Sequence, residues 1–242
     1  EVLSEIGDYA FYDTAIKTIS LGKNVNNIGA HAFLNCKKLE SFSVDEASKS
    51  YKAVDGVLFS KNEKTLVAYP AAKAGDYEVP KNVETIAAGS FRNSKVTGVT
   101  FAEDSKAKTL GSYAFMDCAI ESIHMSGNID LISVGAFKGC TSLKSVTLPE
   151  SLTKIGSYAF FGNTALTEII IPGKVTDIST YAFADCTNLK KVKITDVIRV
   201  RSYAFGSCRS LSDLDLGSSL QSVNDYAFNN CSKLTSLNFP AS

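Results

Sequence analysis

The most regular feature of the chain is a recurring pattern of apolar positions. A phenylalanine returns every 22 to 24 residues, apart from one gap of 58 residues between Phe33 and Phe91. Aliphatic residues precede it by five and by eight positions, and in most copies a cysteine follows it by three positions. A fixed period of this length predicts a solenoid, in which each unit buries its apolar face only against its neighbours. The nine phenylalanines are Phe11, Phe33, Phe91, Phe115, Phe137, Phe160, Phe183, Phe205 and Phe228.

Each unit contains two different patterns. The segment L-x-x-V-x-L, as at 143–148, alternates apolar and polar residues and predicts a short half-buried strand. The segment A-F-x-x-C-x-x-L has apolar residues at spacings of three, which suits one helical or 3₁₀ turn. Strands of successive units are expected to pair in parallel, about 4.8 Å apart.

These repeats resemble those of leucine-rich repeat proteins of the BspA-like bacterial subclass. The resemblance is carried by the L-x-x-V-x-L-P strands at 143–149 and 166–172 and by the I-G-x-x-A-F turn that begins at Ile155. It implies an α/β solenoid, a right-handed horseshoe with a parallel β-sheet on the concave face and short helical or 3₁₀ turns opposite. We expect one leucine-rich repeat domain of nine repeats over 1–242.

An irregular segment at about 45–80 interrupts the period. Two strand-like runs, at 51–60 and 65–70, flank a polar turn at 61–64, which predicts a β-hairpin. Asp55-Gly56 is a second turn or a bulge. The insert either widens the sheet or forms a binding element, and we favour the structural role.

All six cysteines lie at one position of the repeat, three residues after the phenylalanine. Small polar residues, Thr14, Ser94 and Asn163, take this position in the other three copies. Such a column predicts buried, reduced thiols that pack as small apolar groups, and not disulfides. We expect no metal site, because there is no C-x-x-C motif and one stacked column cannot supply four tetrahedral ligands.

Charge and hydropathy exclude some classes of partner. The 25 basic and 25 acidic residues cancel, which argues against a general nucleic-acid or anionic-membrane binder. No apolar run reaches the roughly 18 residues of a membrane helix, so no membrane insertion is expected. The chain begins within a repeat and carries no signal peptide, and we expect that upstream residues were removed. The oligomeric state stays open.

The outward positions of the strands form two columns on the predicted concave face. These columns are rich in hydroxyl groups in the early repeats and become charged in the last four. Opposite charges on adjacent strands indicate either a solvated, self-neutralising ladder or a polar recognition stripe. The candidate partner-binding residues are Ser122, His124, Ser145, Thr147, Glu168, Ile170, Lys191, Lys193, Asp213, Asp215 and Asn238.

Catalysis on this face is not expected. His124 is flanked by Ser122 and Ser126, but no acid is near to orient it and an open sheet does not exclude water. Asp213 and Asp215 have the spacing of an inverting glycosidase pair, yet neighbouring lysines would lower the pKa that a general acid needs raised. We predict no catalytic residue and no cofactor.

The resemblance implies a secreted or surface-attached bacterial protein with a role in adhesion. We therefore predict a non-enzymatic interaction module that binds a protein or glycan of a host or neighbouring cell through its concave sheet. A rigid solenoid presents such a surface at low ordering cost. The alternative is a structural stalk that presents another domain.

Overall fold

The computed structural model describes residues 2–125 and 127–237, and within them the chain is built from 21 β-strands joined by turns. Asn238 of the predicted site lies outside the described residues. The strands are β1 Glu5–Ile6, β2 Thr18–Leu21, β3 Asn27–Ile28, β4 Ser41–Val44, β5 Tyr51–Val54, β6 Val57–Ser60, β7 Thr65–Ala68, β8 Gly75–Val79, β9 Thr85–Ile86, β10 Val96–Phe101, β11 Thr109–Leu110, β12 Ser122–His124, β13 Leu131–Ile132, β14 Ser145–Thr147, β15 Lys154–Ile155, β16 Glu168–Ile171, β17 Asp177–Ile178, β18 Lys191–Ile194, β19 Arg199–Val200, β20 Asp213–Asp215 and β21 Ser222–Val223.

The longer strands of successive repeats pair in parallel, as their alternating pattern predicts. They form three ladders in chain order: β2–β4, β8–β10–β12–β14 and β16–β18–β20. Along β16 and β18 the burial alternates between exposed and buried, so each strand turns every second side chain into the core. We call the outward side of these ladders the long-strand face.

The two-residue strands form a second set of parallel ladders at the aliphatic position five residues before each phenylalanine. Ile86, Leu110, Ile132, Ile155 and Ile178 follow one another in register and are fully buried. At the insert this sheet is extended by antiparallel pairing of β5 with β6 and of β6 with β7. Strand β7 then rejoins the parallel ladder through β9.

The turns that carry the phenylalanines are not helical, and here the sequence expectation was wrong. No helix occurs in residues 2–125 or 127–237, so the fold is a β-solenoid and not an α/β solenoid. In each turn the residues two before and two after the phenylalanine have a positive φ, as Tyr158 (60°) and Gly162 (72°) do around Phe160. A right-handed helix cannot continue through left-handed residues, so the chain makes successive tight turns instead.

Stacked phenylalanine rings form the centre of the core. From Phe91 to Phe228 each ring lies over the next, with centroids between 4.6 and 5.5 Å apart. Phe91, Phe115, Phe137, Phe160, Phe183 and Phe205 are fully buried. Burial of this aromatic column and of the aliphatic ladders that flank it contributes a large favourable term to stability.

The insert adds one more aromatic ring to this column, and the sequence pattern did not reveal that ring. Tyr69 stacks on Phe91 with centroids 4.6 Å apart, and its backbone N–H donates to the Ser90 carbonyl at 2.8 Å. Phe91 makes the corresponding bond to Ala114 at 2.7 Å. Ala68-Tyr69 therefore occupies the place of an Ala-Phe pair inside the 58-residue gap. Phe33 does not continue the column, and its repeat belongs to a separate buried cluster with Ile6.

Candidate functional site

The predicted site residues that lie in the described chain all fall on the long-strand face and are exposed. Ser122 pairs with Ser145 and His124 with Thr147, on adjacent strands β12 and β14. On the next ladder Glu168, Lys191 and Asp213 form one row, and Ile170, Lys193 and Asp215 form a second row. The columns read from the sequence are thus present as two rows on each ladder.

The two ladders are separated by a break that sequence reasoning did not anticipate. No backbone pairing joins β14 to β16 in the described chain, and a groove of about 450 Å³ opens between them. Ser145, Thr147, Glu168 and Ile170 line this groove. Ile170 is 63% exposed, the largest exposed apolar side chain among the candidate residues.

The charged rows are only partly neutralised. Lys191 Nζ lies 3.2 Å from Asp213 Oδ2, and one oxygen of Asp215 accepts a hydrogen bond from the N–H of Gly217 at 3.0 Å. Glu168 and Lys193 form no ion pair within the described chain. The two rows therefore present one ion pair, Lys191 with Asp213, and three charges without an ion pair in the described chain, those of Glu168, Lys193 and Asp215.

His124 is placed as the sequence predicted, exposed between Thr100 and Thr147. Within residues 2–125 and 127–237, no group of three or more His, Cys, Asp or Glu side chains could hold a metal ion. In the same residues no helix is long and apolar enough to cross a membrane.

The repeats match a known family. The model of the BspA type leucine rich repeat region matches the chain in six copies, over residues 1–67, 67–190 and 159–242. These matches span the whole chain.

The chain belongs to the BspA-type leucine-rich repeat family.

Solved structures of bacterial proteins share this fold. A leucine-rich repeat protein from Eubacterium ventriosum is 28% identical, with a TM-score of 0.91, and the match covers 99% of this chain and 65% of that one. A leucine rich cell surface protein from Faecalibacterium prausnitzii is 33% identical, with a TM-score of 0.73 and coverage of 79% and 51%. The pneumococcal vaccine antigen PcpA is 26% identical, with a TM-score of 0.57 and coverage of 86% and 45%.

The chain thus spans from about half to two thirds of the length of these solved proteins. No protein of the curated set matches the chain at a significant level.

The cysteine column of these BspA-type repeats links successive turns. All six thiols are free and buried. Cys140 Sγ donates to the carbonyl oxygen of Phe115 at 2.9 Å, and Cys186 Sγ donates to that of Phe160 at 3.1 Å. Burial raises the pKa of Cys186 to about 12 and of Cys118 to about 11, so both stay protonated as donors. The predicted column of reduced thiols is found in the described chain, with a hydrogen-bonding role added to its packing role.

Two neighbouring basic residues, Arg199 and Arg201, form ion pairs with an acidic residue of the same chain. Both guanidinium groups bind Asp177, with Arg199 Nη2 at 2.9 Å from Oδ2 and Arg201 Nη2 at 2.7 Å from Oδ1. These bonds, chiefly that of Arg199, hold the pKa of Asp177 below its usual range. Because both arginines are paired with Asp177, this cluster is a poor docking point for an acidic partner.

Proposed function

We propose that this chain is a non-enzymatic binding module of a secreted or surface-attached bacterial protein. Its long-strand face would bind a protein or glycan of a host or neighbouring cell. The observation that carries the proposal is the groove between β14 and β16. Its lining combines the exposed apolar side chain of Ile170 with hydroxyl groups and a free carboxylate.

Such a surface has the composition of a recognition site. An apolar anchor surrounded by polar groups gives a binding surface both desolvation energy and specificity. The free charges of Glu168 and Lys193 flank Ile170 on the same ladder. Because the β-ladders fix the backbone, little ordering cost is expected on binding.

The cell-surface assignment is supported by relatives. The Faecalibacterium prausnitzii protein is described as a cell surface protein and the pneumococcal one as a vaccine antigen. We extend this location, and a role in adhesion, to the present chain as part of the proposal. The alternative is that the repeats form a stalk, in which case the long-strand face binds nothing.

Binding to extracellular-matrix proteins, mucin and glycans tests the proposal. The wild-type chain is compared with Ile170→Asp and with the double variant Lys191→Glu, Lys193→Glu. The control is Lys154→Glu with Lys174→Glu, which makes the same charge change at exposed lysines outside the long-strand face. Saturable binding that both site variants abolish and the control retains supports the proposal. Binding that no site variant alters places recognition elsewhere, and absence of all binding supports a stalk.

A further inference from the structure

The turn supplied by the insert is shorter than every other turn of the solenoid. In the nine regular copies five positions separate the aliphatic ladder residue from the phenylalanine, as from Ile86 to Phe91. From Leu66 to Tyr69 the separation is three positions, although both residues occupy the regular places. The short turn lacks the two residues that precede the alanine in a regular turn. The second of these has a left-handed backbone conformation and is a tyrosine in six copies.

The missing residues leave a cleft in the side of the solenoid. It has a volume of about 270 Å³ and lies between the turn 29–34 on one side and the turn 87–92 on the other, with 67–69 as its floor. We call it the short-turn cleft. Since neighbouring repeats stack about 4.8 Å apart, its walls are separated by the thickness of one absent backbone segment.

One wall presents backbone donors without partners. The N–H groups of His31 and Phe33 in this wall, and of Asn35 directly after it in the chain, make no hydrogen bond within the described chain. Their equivalents in the turn that begins at Gly89 are bonded: Gly89 to Ser112 at 3.0 Å, Phe91 to Ala114 at 2.7 Å and Asn93 to Met116 at 3.0 Å. The three free donors lie at every second residue, the spacing at which an extended chain accepts.

The opposite wall presents acceptors. The carbonyl oxygens of Ala88 and Arg92 receive no hydrogen bond within the described residues, whereas their equivalents Ser112 and Met116 do. Three buried side-chain atoms of residues that line the cleft also lack a hydrogen-bond partner in the part of the chain that the structure describes: His31 Nδ1, Ser90 Oγ and Arg92 Nε. Ser90 is only 5% exposed. Buried polar groups without partners are costly, so a ligand that satisfies them gains that energy.

We propose that the short-turn cleft binds a short, extended, uncharged peptide segment of a partner protein, with an aromatic side chain. Such a segment supplies carbonyls to one wall and N–H groups to the other, as in strand addition to a sheet edge. A small anion satisfies only the donor wall and is repelled by the carbonyls of Ala88 and Arg92. An aromatic residue fits between His31, whose ring lies tilted against Tyr9 with centroids 5.4 Å apart, and Gly89, which has no side chain, once the His31 ring moves aside.

Entry of the segment requires side chains at the rim to move. The His31 ring leans over Gly89, with Nδ1 2.8 Å from the position that a Cβ would take there. Asn93 Nδ2 lies 3.5 Å from Asn35 Oδ1 across the opening. Binding is therefore expected to change the environment of His31, which provides a local signal.

The test is a nuclear magnetic resonance titration of the ¹⁵N-labelled chain. The probe is the acetylated and amidated tetrapeptide Gly-Ser-Tyr-Ala, the sequence of residues 156–159, which contains the residues absent from the short turn. We expect saturable shifts of the amide signals of His31, Phe33 and Asn35 and of the His31 ring. The same peptide with an N-methyl group on its tyrosine amide lacks one donor and is expected to bind more weakly.

Two variants fill the cleft. The first is a Ser-Tyr insertion between Val67 and Ala68, which restores the regular turn length. The second is Gly89→Tyr, which places a tyrosine side chain in the cleft. Six other turns carry tyrosine at this position with a similar φ. The fold of each variant is verified by circular dichroism. Either variant is then expected to abolish the peptide-induced shifts of the amide signals of His31, Phe33 and Asn35. The matched control is Gly135→Tyr, the same change at the same repeat position (φ 60°) away from the cleft.

The proposal is overturned if phenylacetate alone reproduces the shifts at His31, Phe33 and Asn35 and the tetrapeptide does not. That result would identify an anion site. It is equally overturned if the peptide causes no saturable shift, or if its binding persists in the insertion variant, which would place it elsewhere. None of these outcomes depends on binding at the long-strand face.

Discussion

Cys186 Sγ donates a hydrogen bond to the carbonyl oxygen of Phe160, 3.1 Å away, and Asn163 occupies the same column one repeat earlier. Asn163 is fully buried, and neither its Oδ1 nor its Nδ2 has a hydrogen-bond partner among residues 2–125 and 127–237. A buried polar group without a hydrogen bond costs about 1–3 kcal/mol. This repeat therefore carries a local defect in an otherwise regular column.

Replacing Asn163 with cysteine is expected to stabilise the protein. The thiol would donate to the carbonyl of Phe137, as Cys186 does to Phe160, and no buried amide would remain. We expect Asn163→Cys to raise the free energy of unfolding by about 1–2 kcal/mol, measured by urea denaturation. Thr14→Cys is the control, since Thr14 is exposed and its hydroxyl already donates to Phe11 at 3.0 Å. Equal effects at both positions would contradict the explanation.

Alkaline pH is expected to destabilise the fold through the cysteine column. Burial raises the pKa of Cys186 to about 12 and of Cys118 and Cys231 to about 11, from a usual value of 9.0. Above pH 9 the unfolded chain loses thiol protons that the folded chain keeps, so proton release favours unfolding. Stability contributed by these thiols is complete below pH 9 and declines as the pH rises towards 11 to 12.

Denaturation midpoints measured from pH 8 to pH 11 test this expectation. Each thiol contributes a decline of up to about 1.4 kcal/mol per pH unit. At pH 8 the native thiols should react with a disulfide reagent far more slowly than in urea, because they are neutral and buried. Rapid reaction of all six thiols in the native protein would refute the assignment of a buried column.

The phenylalanine column predicts that the loss of unfolding free energy on mutation depends on where in the column the ring lies. Phe137 is fully buried and stacks on Phe115 and on Phe160, at 5.1 Å in each case. We expect Phe137→Ala to lower the free energy of unfolding by about 3–5 kcal/mol in urea denaturation. Phe228 is half-buried and has one described ring partner, Phe205, so Phe228→Ala should cost clearly less. Similar losses at both sites would show that the central column does not dominate stability.

Much of the fold was predictable because each repeat position has one physical role. The alternation at Ile169 and Ile171 predicts inward-facing side chains, and both are buried in the parallel ladder. The rows of exposed residues follow from the same alternation, so Lys191 and Asp213 could be placed side by side from sequence.

The turn conformation was missed although the sequence carries a signal for it. Apolar spacings of three suit a helical turn, but the residue two after the phenylalanine is Asp, Asn or Gly in eight of nine copies. These residues tolerate a left-handed backbone, and all nine have a positive φ. The outer tyrosines at positive φ gave no such signal, because a tyrosine rarely adopts that conformation without neighbours that fix it.

The groove between β14 and β16 and the short turn at Tyr69 were not predictable. Val146 and Ile169 occupy regular positions in their strands, and nothing in their local pattern marks a break between the ladders. The turn that ends at Tyr69 is two residues shorter than a regular turn, so the five-residue spacing that identifies a repeat in the sequence is absent there. The place of Tyr69 in the ring column becomes evident only in the structure, from its stacking on Phe91 and its backbone hydrogen bond to Ser90.

Amide hydrogen exchange can test the short turn without any ligand. The N–H groups of Phe33 and Asn35 have no partner in the described chain, so they should exchange faster than those of Phe11 and Asp13. The latter two donate to Ala32 at 2.8 Å and to Leu34 at 3.0 Å, although they lie nearer the start of the chain. Simple fraying from that end would produce the opposite order. We expect a difference of at least about tenfold, the effect of one protecting hydrogen bond worth about 1.4 kcal/mol.

The Ser-Tyr insertion between Val67 and Ala68 should then slow the exchange of Phe33 and Asn35. It restores the turn whose carbonyls would accept from them, while the exchange of Phe115, already bonded to Ala136 at 2.7 Å, should not change. Equal protection of Phe33 and Phe115 in the wild-type chain would mean that the insert already closes the turn. In that case the free donors that define the short-turn cleft would not exist in solution.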